Sequence, residues 1–250
     1  MTDDMLTALR TRAGAASTDC NLVPTDGRRK KLLVADMEST IIAQECLDEL
    51  AADVGIGDAV KTITARAMNG ELDFEDALRE RVVMLEGVSV AALDALYEDR
   101  VTLMPGAPEL VATMAAQGAT TALVSGGFTY FTARVAERLG FDTHRANTLA
   151  IEADKLTGHV VPPILGRAAK LEALNALCAE HGLTGRDAVC VGDGANDLDM
   201  INAANAQGGM GIAFHAKPVV AAEARYRLDH ADLRGLLDLQ GFRDAEISAS

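Results

Sequence analysis

Asp36 and Glu38 stand two residues apart, directly after the apolar run Leu32-Leu33-Val34-Ala35. If that run is a strand, side-chain alternation brings both carboxylates out on the same side of its end. Such a pair can divide the work of phosphoryl transfer. One carboxylate attacks phosphorus, while the other serves the leaving group and then water. Acidic residues after a strand are more often helix caps or a solvated turn, so the pair needs support from elsewhere in the chain.

Two further apolar runs supply it. Thr121-Ala122-Leu123-Val124 leads into Ser125-Gly126-Gly127 and then a helical pattern. A hydroxyl and unhindered backbone N–H groups at a helix start form a cradle for phosphate oxygens. Ala188-Val189-Cys190-Val191 leads into Gly192-Asp193-Gly194-Ala195-Asn196-Asp197. Asp and Asn in such a turn serve as Asx turns and caps, yet carboxylates there also offer the hard oxygen ligands that Mg²⁺ demands. Lys170 lies about one helix length earlier and gains interest only from the others. Three consecutive run ends, each carrying groups suited to phosphoryl transfer, argue together for a catalytic site.

The elements that must position these groups are legible from periodicity. A fourth run, Met210-Gly211-Ile212-Ala213, joins the other three. Runs this short suit strands buried on both faces, as in a parallel sheet. Helical patterns at Pro108–Gln117, Tyr130–Leu139 and Ala168–His181 alternate with them. The pattern predicts a doubly wound, Rossmann-like α/β fold with its ligand beyond the carboxyl ends of the strands. Residues 44–104 break the alternation with helix-like segments at Cys46–Val54, Asp58–Asn69, Phe74–Leu85 and Ala91–Tyr97. They read as a small helical cap inserted after the first strand. The predicted layout is an N-terminal helix and linker at 1–30, a core at 31–43 and 105–250, and a cap at 44–104. Residues 141–163, with Asp154-Lys155-Leu156-Thr157-Gly158 between alternating segments, suggest an appended hairpin.

Composition narrows the function classes. With 49% hydrophobic and 24% charged residues, the chain can bury a sizeable core. A net charge of −14 argues against nonspecific nucleic-acid or anionic-membrane binding. No apolar run approaches the ~20 residues of a membrane span, and the N-terminus lacks a secretory plan. The four cysteines are scattered without a CxxC pair, so a reducing cytoplasm is expected rather than a disulfide framework. The acidic balance also sets a requirement: a phosphate ester must meet a local cluster of positive charge.

In their order, these motifs resemble the haloacid dehalogenase superfamily and, within it, the phosphoserine phosphatases, from about Leu32 to Leu237. Asp36-Met37-Glu38-Ser39-Thr40 is similar to the first motif, D-x-D-x-T, except at its third position. Ser125-Gly126-Gly127, Lys170 and Gly192–Asp197 resemble motifs two, three and four. Gln44–Leu50 and the stretch from Asn69 to Val82 resemble the family's substrate-binding cap segments. The resemblance implies that Asp36 is the nucleophile and Glu38 the general acid and base. It places Mg²⁺ on Asp36, the Glu38 backbone carbonyl and Asp193, with Asp197 beside them. Ser125, Gly126, Lys170 and Asn196 would bind the phosphoryl group, Glu45 the substrate ammonium and Arg81 its carboxylate. Met68 and Phe74 would wall the pocket. The implied protein is a cytoplasmic monomer or homodimer acting on O-phosphoserine in the last step of serine biosynthesis. Glu38 also keeps two alternatives open: a phosphoserine:homoserine phosphotransferase, which carries glutamate there, and a catalytically impaired phosphoserine-binding relative.

Overall fold

The computed structural model describes residues 3–68, 71–166 and 168–248. Helix α1 (Asp3–Gly14) precedes strand β1 (Leu32–Ala35). Four helices follow: α2 (Cys46–Asp53), α3 (Gly57–Met68), α4 (Phe74–Val83) and α5 (Val90–Arg100). Then come α6 (Ala107–Ala116), β2 (Thr120–Phe128), α7 (Thr129–Leu139), and the hairpin β3 (Thr143–Glu152) and β4 (Lys155–Val161). The chain continues through α8 (Ala168–Glu180), β5 (Ala188–Gly192), α9 (Leu198–Ala206) and β6 (Met210–Phe214). It closes with α10 (Pro218–Glu223), β7 (Tyr226–Leu228) and α11 (Gly235–Gln240).

The strands form one seven-stranded sheet in the order β4-β3-β2-β1-β5-β6-β7. β1 pairs in parallel with both β2 and β5, and β4 runs antiparallel beside β3. The chain builds outward from β1 in one direction, then returns to build in the other. A crevice opens where the winding reverses, beyond the carboxyl ends of β1 and β5. Alternation explains why these strands read as unbroken apolar runs. Leu33 and Ala35 join Val189 and Val191 in one buried layer, while Leu32 and Val34 join Ala188 and Cys190 in the other. Both faces are covered, as a parallel sheet requires.

Helices α2 to α5 bury Leu47, Leu50, Val60, Leu78, Val82 and Leu93 in the first of these layers. The chain leaves and re-enters the sheet through two paired linkers: Ala43 N–H donates to the Thr102 carbonyl (3.0 Å) and Met104 N–H to that of Ile41 (2.9 Å). Backbone bonds also tie the α4–α5 connection to the hairpin, with Gly87 N–H on the Leu156 carbonyl and Leu156 N–H on that of Val88, both 2.8 Å.

Two expectations are corrected. Ser125-Gly126-Gly127 is no loop before a helix: β2 runs on to Phe128, with its pairing to β3 slipping between Val124 and Phe128. The hairpin turns at Ala153 and Asp154, both at positive φ (49° and 58°), as a two-residue turn needs to match strand twist. Leu156, Thr157 and Gly158 belong to β4. The segment read as a linker before β1 also has partners. Asn21 both donates to and accepts from the Arg227 backbone (2.6 and 2.9 Å), covering the free edge of β7. Among the described residues no helix is long and apolar enough to cross a membrane, and the four cysteines are free.

Candidate active site

The carboxyl ends of β1 and β5 bring the acidic groups together. Asp36 continues the ladder, its N–H donating to the Val191 carbonyl (3.0 Å). Asp193 follows β5 directly, and Asp197 closes the next turn with Gly194 N–H donating to its Oδ2 (2.9 Å). A Cβ on Gly192 would lie 2.2 Å from the Asp197 Cγ, so only glycine lets the strand pass that close. One oxygen each from Asp36, Asp193 and Asp197 fall within 4.8 Å of one another.

Lys170, in the first turn of α8, reaches this cluster from below and is 3% exposed. Its ammonium donates to Asp36 Oδ1 (2.7 Å) and Asp197 Oδ1 (2.5 Å). Burial alone would lower its pKa, but the two carboxylates outweigh that and hold it protonated. Three carboxylates against one ammonium leave an excess of negative charge. Burial, then the charge of Asp197, raises Asp36 well above the usual carboxylate range, and burial brings Asp193 up to about 6. An all-oxygen cluster short of positive charge suits a hard divalent cation. The Glu38 side chain stands outside that cluster, which leaves only its backbone carbonyl for the ligand role expected of it.

The bulged end of β2 forms the facing side. Gly127 N–H donates to Ser125 Oγ (2.9 Å), and the Ser125 hydroxyl and the Gly126 backbone line the cavity, where a phosphoryl oxygen would meet them. Asn147 of β3 fixes this segment. Its side chain donates to the Gly126 carbonyl (2.8 Å) and accepts from Leu165 N–H (2.7 Å). Glu38 fills the space above Gly127, where a Cβ would come within 2.6 Å of its Oε2. Its Oε1 accepts from Cys46 N–H (2.8 Å) at the start of α2. Depth in the cavity, with the Glu45 carboxylate adding to it, pushes Glu38 up to about 7. A carboxyl at that value can give and take a proton near neutrality.

The helices after β1 supply the opposite wall of a cavity of about 440 Å³. Glu45 is exposed and accepts from Ser39 Oγ (2.8 Å). Ser39 itself lies at φ 54° in the turn leaving Asp36 and Glu38. Phe74 packs over Gly126, its ring 3.3 Å from where a Cβ would stand. Arg81 faces the cavity, and the one described bond it makes is from Nε to the Ala77 carbonyl (3.1 Å). Arg79, by contrast, pairs with Glu75 and Asp76 in solvent. Met68 ends α3, and its side chain lies outside the described residues. Asn196 lines the cavity near Asp193. Sequence reasoning missed Ser39, Cys46, Asn147 and Lys217, the last being 3.5 Å from Asp193 Oδ2. Lys217 follows the fourth apolar run, so its place after a strand end was the available signal.

The chain is similar to known proteins in sequence and in fold. The profile of the haloacid dehalogenase-like hydrolases matches residues 33–202. The phosphoserine phosphatase of Albidiferax ferrireducens is 44% identical over 214 residues, covering 84% of this chain and 89% of that one. The phosphoserine phosphatase of Streptomyces coelicolor is 41% identical over all of this chain, which spans 60% of the relative's length. Among solved structures, a haloacid dehalogenase family hydrolase from Salmonella enterica superposes with a TM-score of 0.90 at 34% identity, over 96% of this chain and 81% of that one. A phospho-aspartyl intermediate analogue of phosphoserine phosphatase does so with a TM-score of 0.76 at 37% identity, over 84% of this chain and 98% of that one. Likeness of this extent, in sequence and in fold alike, means that the chain belongs to the haloacid dehalogenase-like hydrolases, in the branch of the phosphoserine phosphatases.

Proposed function

We propose that this chain hydrolyses O-phosphoserine to serine and phosphate, with Mg²⁺ as cofactor and an aspartyl-phosphate on Asp36 as intermediate. One observation carries the reading. A single cavity holds Asp36, the under-used guanidinium of Arg81 and the exposed carboxylate of Glu45. Arg81 and Glu45 complement the carboxylate and ammonium of an amino-acid phosphate, and Asp36 stands where it would attack the phosphorus.

Asp36 Oδ1 is engaged by Lys170 and by Met37 N–H (2.8 Å), so Oδ2 is the attacking oxygen. As its bond to phosphorus forms, the bond to the serine oxygen breaks, and Glu38 gives that oxygen its proton. Glu38 then takes a proton from water, whose oxygen displaces Asp36 from phosphorus. Ser125, the Gly126 N–H, Asn196 and Lys170 hold the phosphoryl oxygens throughout. Asp36, the Glu38 carbonyl and Asp193 would hold Mg²⁺, with Asp197 behind them. When bound there, the ion would supply positive charge to offset that developing on the phosphoryl group. Residues 44–104 serve as a cap that shields the site from bulk water, with Phe74 as its apolar wall.

Glu38 supports a second reading. Its carboxylate extends about 1.5 Å farther than aspartate's and leans on the start of α2, which changes the space left for the attacking hydroxyl. Transfer to an acceptor alcohol such as homoserine is that reading. Phosphate release should be followed for phosphoserine, phosphothreonine and sugar phosphates, with Mg²⁺ and with chelator, and then with homoserine added. Hydrolysis is supported by Mg²⁺-dependent release that is fastest from phosphoserine. Phosphohomoserine forming at the expense of free phosphate would replace it with transfer. Phosphoserine binding without turnover would leave a binding protein.

A further inference from the structure

We propose that Lys217 is a substrate-capturing residue, the half-exposed cation that draws the phosphoryl dianion into the site; this deepens the reading of the chain as a phosphomonoesterase. The cavity is lined by Asp36, Glu38, Glu45, Asp48 and Asp193, in a chain of net charge −14. A phosphate dianion approaching it needs cations that are free to engage. Lys170 spends two of its three N–H donors on Asp36 and Asp197 and is 3% exposed, so it can hold a phosphoryl group that has arrived but cannot draw one in from outside. Arg81 sits across the cavity on α4, where a substrate carboxylate would meet it. Lys217 is the remaining described cation on the lining.

Its attachment suits it to exchange partners. The backbone is pinned, with Lys217 N–H donating to the Asp193 carbonyl (3.0 Å) and Pro218 following at the start of α10. The side chain is loose. It is 51% exposed, and its ammonium is 3.5 Å from Asp193 Oδ2, beyond the usual hydrogen-bond range of about 2.7–3.2 Å. A dianion entering beside Asp193 offers that ammonium a better partner than a single carboxylate oxygen at this distance. A lysine that works by charge at a cleft mouth acts on capture more than on chemistry.

The test is Lys217→Met, which keeps the backbone bond and most of the stem, with Lys217→Arg as the conservative variant. At saturating Mg²⁺, kcat/KM should fall roughly tenfold, most of it in KM, and its dependence on salt should flatten. The loss should be equal for phosphomonoesters with and without a carboxylate. Lys217→Arg should restore most of it. Binding of inorganic phosphate, read by calorimetry on the Mg²⁺-loaded protein, should weaken by a similar factor. That readout does not depend on which ester is the substrate. A wild type that binds phosphate but ignores phosphoserine would therefore count against the proposed function and leave this test standing. Removing a cation beside Asp193 cannot weaken a cation site by charge, so reduced Mg²⁺ affinity in Lys217→Met would expose a structural role and overturn the proposal. Unchanged phosphate affinity, or a loss confined to kcat, would overturn it as well.

Discussion

On the sheet side of the cavity, Asp36 is 4% exposed and Asp197 fully buried. Lys170 and backbone N–H groups from the strand ends engage Asp36 Oδ1 and both oxygens of Asp197. On the helical side, Glu45 is exposed and Arg81, among the described residues, uses one of its donors, on the carbonyl one turn back. The contrast follows from what each side must do. Groups that meet developing charge work best when held rigid before substrate arrives, so that nothing reorganises during reaction. Groups that recognise a particular substrate must keep donors and acceptors free for it, at the cost of a looser apo structure. The rigid wall is made from sheet and the unsatisfied wall from helices that join the sheet through two short linkers.

If the walls divide chemistry from recognition, the largest effect belongs to the nucleophile. Asp36→Asn should cut turnover by roughly three orders of magnitude or more on every ester, measured on folded protein with deamidation excluded. Substantial remaining turnover would end the covalent scheme. Glu38→Gln comes next, with a loss on the order of 10²-fold or more on phosphoserine. It should cost far less on p-nitrophenyl phosphate, whose phenolate leaves without a proton. Equal losses on the two esters would remove Glu38 from proton transfer.

Arg81→Ala probes the other wall. It should cost about 2–4 kcal/mol in kcat/KM on phosphoserine and little on an ester lacking a carboxylate. A loss shared by both substrates would mean that the helical wall is structural, and the division would fail. The smallest effect is expected at Asn147, a buried support of the rigid wall that lies outside the cavity lining. Asn147→Ala strands the Gly126 carbonyl and Leu165 N–H, so denaturant unfolding should show a loss of about 1–3 kcal/mol. Phe74→Ala, on the helical wall, should raise KM with less change in stability. If the two variants exchanged these behaviours, rigidity would reside in the helices instead.

The sequence alone determined the sheet centre and most of one wall. Doubly buried strands leave unbroken apolar runs, and the residues after β1 do line one cavity. Asp36 and Glu38 nevertheless lie beyond the strand, Glu38 already in a turn, so alternation is not what brings them together. Asp193 and Asp197 follow β5 so closely that a strand assignment nearly places them. Helices after β1 were also legible, because their apolar spacing is a local property. Tertiary structure decided the partners. Asn147 reads as an ordinary polar residue in β3 until the pairing of β3 with β2 sets it under Gly126. Lys217 reads as a surface lysine until β6 packs beside β5 and delivers it to Asp193. The bulge through Ser125 and Gly127 was likewise invisible, since a glycine pair permits both a loop and an irregular strand, and pairing with β3 makes the choice. Periodicity records which way a side chain faces. Only the packing of segments distant in sequence fixes what it meets there.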